Sequence, residues 1–125
     1  MAAISSYREL IVYQKAYKVS MEIFILSQSY PKEETYSLTD QIRRSSRSVT
    51  ANLAESWAKR KYIKVFVNKL TDSLGETLET ENWLHYSRDC GYIHQESFES
   101  LISQYDEVRK MLISMINNPE KFCKK

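Results

Sequence analysis

The chain has 125 residues, which is enough for one domain with a single hydrophobic core. It contains only two glycines and two prolines, so residues for turns and sheet corners are scarce and helices should dominate. The net charge of +2 is mild, no stretch is long and apolar enough to span a bilayer, and the first residues lack the apolar run of a signal peptide. We expect an all-α protein of the cytoplasm that makes no membrane contact.

Helix 1 should extend over about residues 7–29, because Pro31 cannot continue it. Its apolar residues form two adjacent stripes. The first comprises Leu10, Tyr13, Tyr17, Met21 and Phe24, and the second comprises Val12, Ala16, Val19, Ile23 and Leu26. A helix on the outside of a monomeric bundle needs an apolar arc of roughly 100°, and the two stripes cover far more. We therefore predict a subunit interface, and we assign Val12, Val19 and Ile23 to it.

Helix 2 should begin after an N-cap at Ser37, with Asp40 three residues later as in a capping box, and should end near Lys59. Its narrow apolar face holds Leu38, Ile42, Val49, Leu53 and Trp57. Asn52 and Glu55 are three residues apart and therefore adjacent on the helix surface. We interpret this pair as a structural polar network that bonds to neighbouring helices, because neither a nucleophile nor a second acid accompanies it.

Helix 3 should extend over about residues 62–89 and helix 4 over about residues 95–117, with Gly91 as a left-handed cap between them. The predicted core of helix 3 is Ile63, Phe66, Val67, Leu70, Leu74, Thr77, Leu78 and Leu84. The predicted core of helix 4 is Phe98, Leu101, Tyr105, Val108, Leu112 and Met115, at the alternating spacing of a coiled coil. Trp83 points away from the core of helix 3, so we assign it to the subunit interface as well.

Four helices with short connections predict an antiparallel up-and-down four-helix bundle, formed as one domain over residues 1–125 with loose ends at 1–6 and 118–125. This topology places most charges at opposite ends. The basic end carries Arg8, Lys15, Lys59, Arg60, Lys61, Lys64, Lys121, Lys124 and Lys125. The acidic end carries Glu33, Glu34, Asp40, Glu79, Glu81, Asp89, Glu96 and Glu99.

No group of residues predicts catalysis, a metal site or a cofactor. His85 and His94 are isolated on different elements, and the sequence has no phosphate-binding glycine loop. Cys90 and Cys123 should not pair, because a helix of about 23 residues separates them by roughly 35 Å. We expect Cys90 to be a small buried hydrophobic residue.

The chain resembles the four-helix-bundle proteins that are encoded in intervening sequences of bacterial 23S ribosomal RNA genes. The motifs that carry the resemblance are YREL at 7–10, YQKA at 13–16, YSL at 36–38, QIRRS at 41–45, NLAE at 52–55, KRKY at 59–62 and DCGYI at 89–93. The resemblance implies an antiparallel bundle that assembles as a ring-shaped homopentamer. Related bundles are accessory proteins of the reverse transcriptases of diversity-generating retroelements, where they are basic and contact nucleic acid.

Three functions remain open at this point. The first is an oligomeric scaffold that binds RNA or DNA, with Lys59, Arg60, Lys61 and Lys64 as the contact residues. The second is a protein adaptor ring that docks a partner enzyme such as a reverse transcriptase. The third is an RNA-processing enzyme, which is the least favoured because the chain lacks a catalytic constellation. Arg43 and Arg47 lie nearer the middle of the bundle, and we assign them to subunit pairing.

Overall fold

The computed structural model describes residues 4–123. The four α-helices are α1 (Ile11–Ser27), α2 (Leu38–Ala58), α3 (Ile63–Asp89) and α4 (Gln95–Asn117). Each helix packs against its two neighbours in a closed square, α1 with α2, α2 with α3, α3 with α4 and α4 with α1. This is the predicted antiparallel up-and-down bundle. None of the helices in residues 4–123 combines the length and hydrophobicity that a membrane span needs.

The start of helix 1 differs from the prediction, and α2 begins after Ser37 as predicted but without the predicted cap. Tyr7–Glu9 is a separate 3-10 turn, and α1 begins only at Ile11 because Leu10 is extended (φ −65°, ψ 129°). At the start of α2, the Ser37 side chain makes no capping hydrogen bond. The Glu34 carboxylate instead accepts a hydrogen bond from the Leu38 N–H at 3.3 Å. The predicted capping box is therefore wrong, and an acid from the preceding turn places negative charge at this helix N-terminus.

The end of α3 follows the sequence prediction. Gly91 has a φ of 81°, a left-handed conformation that glycine adopts without a Cβ clash. The reversal lets the Tyr92 N–H donate to the Ser87 carbonyl at 2.8 Å. Cys90, in contrast, is exposed in this turn, so its predicted burial is wrong. It follows the last residue of α3 and thus lies outside the packed part of the bundle.

The core is continuous along the bundle, and all six predicted core residues of α4 are buried in it. On α3 the prediction is only partly correct, because Ile63 and Leu78 are exposed. Several buried positions of α3 are small and polar, namely Thr77, which was predicted, and Ser73 and Thr80, which were not. Ser73 Oγ donates to the Val49 carbonyl at 2.8 Å, so these side chains satisfy their hydroxyls while letting the two backbones approach closely.

The C-terminal end of the described chain packs against the core, contrary to the predicted loose terminus at 118–125. At the N-terminal end, Ser5 Oγ makes a local bond to the Glu9 carboxylate at 3.1 Å. Phe122 follows a 3-10 turn at Pro119–Lys121 and stacks on buried Phe66 with 6.2 Å between ring centroids. The predicted basic residues Lys124 and Lys125 lie outside the described residues.

Candidate nucleic-acid interface

The basic turn, which we define as residues 59–64, connects α2 to α3 at the end of the bundle where α1 begins and α4 ends. Hydrogen bonds from the Lys59 N–H to the Ser56 carbonyl (3.0 Å) and from the Tyr62 N–H to the Lys59 carbonyl (2.9 Å) fix its backbone. Lys59, Lys61 and Lys64 are exposed. Within residues 4–123 none of the three forms an ion pair with an acidic side chain. The turn therefore presents three uncompensated positive charges.

Arg60 differs from the three lysines in this turn. Its Nε donates to the Trp57 carbonyl at 2.8 Å, and its guanidinium carbon lies 3.5 Å from the centre of the Trp57 ring. An arginine that binds a carbonyl of the last helical turn caps α2, and its charge interacts favourably with the negative end of the helix dipole. The Arg60 side chain therefore stabilises the end of α2, a structural role that the sequence did not predict.

A recess that the sequence did not reveal opens beside the basic turn. Its lining residues are Ile63, Lys64, Val67, Asn68 and Pro119, and its volume is about 420 Å³. Four of them come from the first turns of α3, and Pro119 comes from the 3-10 turn that follows α4. We call it the Pro119 recess. Tyr62, which is 58% exposed, directly precedes Ile63 in the chain.

The positive charge of the basic turn can also be recognised in the sequence. No acidic residue occurs between Glu55 and Asp72, and Glu55 is itself paired with Lys69 at 2.6 Å. The hydrogen bond to the Glu55 carboxylate raises the pKa of Lys69. Lys69 and Glu55 thus compensate each other, whereas the basic turn is left without an acid.

The predicted polar network at Asn52 and Glu55 is only partly formed. The Glu55 carboxylate bonds across to Lys69 on α3, as predicted. Asn52 Nδ2 instead donates to the Ser48 carbonyl of its own helix at 2.9 Å. Asn52 therefore does not join two helices, because its amide is used one turn earlier in α2.

The predicted interface residues of helix 1 are not the apolar residues that the bundle leaves exposed. Val12, Val19 and Ile23 are 2%, 0% and 2% exposed and belong to the core of the chain itself. They cannot present a surface to a second subunit while the bundle is intact, so this assignment is corrected. The apolar residues of α1 that remain uncovered are Ile11 (59% exposed), Tyr17 (46%), Met21 (42%) and Ile25 (62%). We call Tyr17, Met21 and Ile25, which recur every four residues, the α1 stripe.

The other predicted interface residues also make contacts inside the chain. Arg43 Nε donates to Ser27 Oγ at 2.8 Å, which joins α2 to α1. The guanidinium carbons of Arg43 and Arg47 lie 4.9 and 5.6 Å from the centre of the Phe24 ring, although Arg47 remains exposed. Trp83 is partly buried against the core rather than directed outward. These contacts leave Arg47 as the most accessible of the predicted pairing residues.

The family profile described as 23S rRNA-intervening sequence protein matches residues 8–114. The chain belongs to this family. A crystal structure of a protein of unknown function from the S23 ribosomal protein family of Bacteroides thetaiotaomicron is similar to this chain, with a TM-score of 0.78 and 32% sequence identity. The match covers 86% of this chain and 96% of that one. The comparison with curated proteins gives no match.

Membership of the 23S rRNA-intervening sequence protein family confirms the resemblance that the sequence motifs indicated. The matched region includes all of α1, α2 and α3, the basic turn, and most of α4. Pro119 lies beyond the match, so the Pro119 recess combines family residues of α3 with a residue outside the matched region.

Proposed function

We propose that this protein is a non-enzymatic, oligomeric scaffold that binds RNA through its basic turn. The observation that carries the proposal is the group of three exposed lysines, Lys59, Lys61 and Lys64, in a segment without acidic residues. Lysines neutralise phosphates and release counterions, and this release supplies most of the affinity in binding without sequence preference. The family description refers to 23S rRNA, which makes RNA the first nucleic acid to test.

Assembly would turn a modest local charge into a useful binding surface. The exposed α1 stripe supports the proposal that copies of the chain associate, since apolar patches on a protein surface commonly mark interaction sites. In a ring with one rotation axis, every basic turn points the same way and the charges repeat around one rim. The number of five copies rests on the family resemblance. A single RNA strand could then contact several rim lysines at once, with affinity gained through multivalency.

The test replaces Lys59, Lys61 and Lys64 with glutamate and measures binding of a fluorescent single-stranded RNA by anisotropy over a range of salt concentrations. We expect weaker binding and a log–log salt slope reduced by roughly 2, since each lost phosphate contact removes ~0.7. A variant with Lys18→Glu, Lys32→Glu and Lys110→Glu is the control, because it changes the net charge equally at exposed positions elsewhere. Equal RNA affinity and equal salt slope in the two variants would show that the basic turn contacts solvent and is not the RNA-binding surface.

An adaptor function is the second candidate, favoured by a different recess at the acidic end. Glu34, Tyr36, Trp83, Tyr86 and Cys90 are among its lining residues, and its volume is about 450 Å³. Exposed aromatic side chains beside an acid are typical of protein contact sites. If the lysine variant retains full RNA affinity, a pull-down of a partner enzyme that depends on Tyr36 and Tyr86 becomes the deciding experiment.

The non-enzymatic part of the proposal is tested separately. Labelled RNA incubated with the protein and Mg²⁺ should keep its length on a denaturing gel. Cleavage that copurifies with the folded protein would instead support an RNA-processing enzyme.

A further inference from the structure

We infer that the Pro119 recess accepts an unpaired nucleobase next to Tyr62, so that the basic turn binds single-stranded nucleic acid in preference to duplex. This inference rests on the proposed function, because it assumes that the basic turn contacts nucleic acid. It adds the class of ligand and the residues that select it.

The recess offers apolar walls that the chain itself does not cover. Ile63 and Val67 are one helical turn apart and therefore lie on the same face of α3, and Pro119 contributes the wall from the 3-10 turn after α4. Ile63 is exposed although it sits among three lysines of the same segment. The volume of about 420 Å³ falls in the range of small-molecule pockets, ~300–1,000 Å³. An apolar recess beside positive charge suits a ligand that combines a flat apolar group with an anion.

A nucleotide has that combination. Its base has two apolar faces, which the walls of the recess can contact, and a polar edge. Asn68, which is exposed at the rim, carries both hydrogen-bond donors and an acceptor, so its amide can pair with base edges. Lys64, also at the rim, is placed to contact the phosphate of the same or the next nucleotide.

Tyr62 supplies the stacking surface. Its ring is largely exposed, and Lys61 Nζ lies 5.9 Å from the ring centre. Aromatic side chains interleaved with lysines are the usual means by which proteins hold single strands without sequence preference. The lysines would attract any nucleic acid, whereas the Tyr62 ring and the Pro119 recess can only be used by bases that are not already paired and stacked.

Different residues of the segment supply these two roles. Lys59, Lys61 and Lys64 supply charge, and Tyr62 and Ile63 supply the uncharged contact surface. Charge alone favours duplex RNA, because the higher charge density of a duplex releases more counterions for each phosphate contacted. A preference for single strands therefore has to come from the uncharged residues.

The experiment measures the affinity of a 20-nucleotide RNA, single-stranded or annealed to its complement, by anisotropy at one salt concentration. The variant Tyr62→Leu keeps apolar volume and removes the aromatic ring, and Asn68→Ala removes the amide. Tyr36→Leu is the matched control, because Tyr36 is 95% exposed at the opposite end of the bundle. Circular dichroism confirms that each variant is folded, which is expected because all three sites are exposed.

We expect the unmodified protein to bind the single strand at least 10-fold more tightly than the duplex. Tyr62→Leu should lower the single-strand affinity about 10-fold. It should leave the duplex affinity and the salt slope unchanged. Asn68→Ala should have a smaller effect in the same direction, and Tyr36→Leu should have none.

Several outcomes would overturn the inference. If the lysine variant loses affinity while Tyr62→Leu does not, the proposed function stands and the base site is wrong. If the unmodified protein binds neither RNA, both are wrong. If Tyr62→Leu leaves RNA binding intact but lowers the oligomeric mass, a second copy of the chain occupies this surface instead of a base.

Discussion

Glu81 is a carboxylate in an unusual position, on the inner side of α3. Its Oε1 accepts a hydrogen bond from Arg109 at 3.4 Å, and Arg109 is shared with Asp106 on α4. Its Oε2 is buried and has no hydrogen-bond partner within residues 4–123, as is also true of Glu22 Oε2 and the Tyr105 hydroxyl. Burial, followed by the charges of Glu22 and Glu81, raises the pKa of Tyr105. Three acidic or phenolic groups from three helices thus share the interior with one arginine.

Burial also raises the pKa of Glu81, and the Asp106 charge adds to this effect while Arg109 and His85 oppose it. A raised pKa in the folded state means that the fold favours the neutral carboxyl. The associated stability is fully present below the ordinary value of 4.5 and is lost as the pH rises through the higher folded value. The folded protein therefore carries a penalty from the Glu81 charge at neutral pH.

Glu81→Gln should remove that penalty. We expect the variant to exceed the unmodified protein in free energy of unfolding at pH 7, and we expect the difference to shrink towards pH 4, where the carboxyl is mostly protonated in both states. Urea denaturation at the two pH values measures this. Glu96→Gln is the control, since Glu96 is exposed and should show no such trend. A loss of stability at pH 7 would mean that the ion pair with Arg109 outweighs the burial cost.

The α2–α3 pair illustrates packing at the scale of helices. Its contact surface contains the small buried residues Ser45, Ser56, Ser73, Thr77 and Thr80. Thr80 Oγ1 and Ser45 Oγ are 2.8 Å apart, so a hydroxyl from each helix meets across the contact. Small side chains bring the backbones close, and each buried hydroxyl then needs a partner within the protein.

Ser73 is the position that tests this contact. Ser73→Leu forces a large side chain into a fully buried site and should lower the free energy of unfolding by about 1–3 kcal/mol or more. Ser73→Ala removes only the bond to Val49 and should cost about 0.5–1.5 kcal/mol. Thr71→Leu on the exposed side of α3 should stay within about 0.5 kcal/mol of the unmodified protein in the same urea titration. Similar costs at positions 71 and 73 would show that the helices are not closely packed.

The sequence predicted elements better than it predicted which faces they bury. The core of α4 was fully predictable, because its buried residues alternate three and four apart, the spacing of a coiled coil. The two stripes of helix 1 were ambiguous, because periodicity gives the width of an apolar arc but not which half another helix covers. The buried face of α3 was partly missed, because serine and threonine carry no hydrophobic signal and are buried here by close backbone approach.

The candidate site, too, could be predicted only in part from the sequence. The lysines of the basic turn could be predicted from local sequence, since charge density requires no tertiary information. The Pro119 recess could not, because one wall comes from a residue 56 positions beyond Ile63 in the numbering. The stacking of Arg60 on Trp57 could not be predicted either, because it depends on the backbone conformation at the end of α2.

At the scale of the whole molecule, the bundle has one basic end and an apolar α1 stripe on its side. The stripe runs along the helix axis, because residues four apart lie above one another. An interface along the side of the bundle would keep subunits parallel around a common axis and would leave both ends free. The two proposed surfaces are therefore compatible, because the side would serve assembly and the basic end would stay free for the proposed ligand.

Tyr17→Glu combined with Ile25→Glu should convert the assembly to monomers. Both side chains are exposed in the isolated bundle, so the fold and its circular dichroism spectrum should be retained. Burial of two unpaired carboxylates in a subunit contact is costly, so association should fail. Light scattering after size exclusion should give the mass of one chain for the variant and, if the ring has the size that the resemblance implies, five times that mass for the unmodified protein.

Lys18→Glu is the matched control, because it also changes the charge by two units at an exposed position of α1. It should remain assembled.

The monomeric variant also separates assembly from RNA binding, since its basic turn is intact. If the rim acts as a multivalent surface, the monomer should bind the same single-stranded RNA at least 10²-fold more weakly. A monomeric mass for the unmodified protein at micromolar concentration would show that the ring does not form. Any RNA binding would then come from the lysines of a single chain.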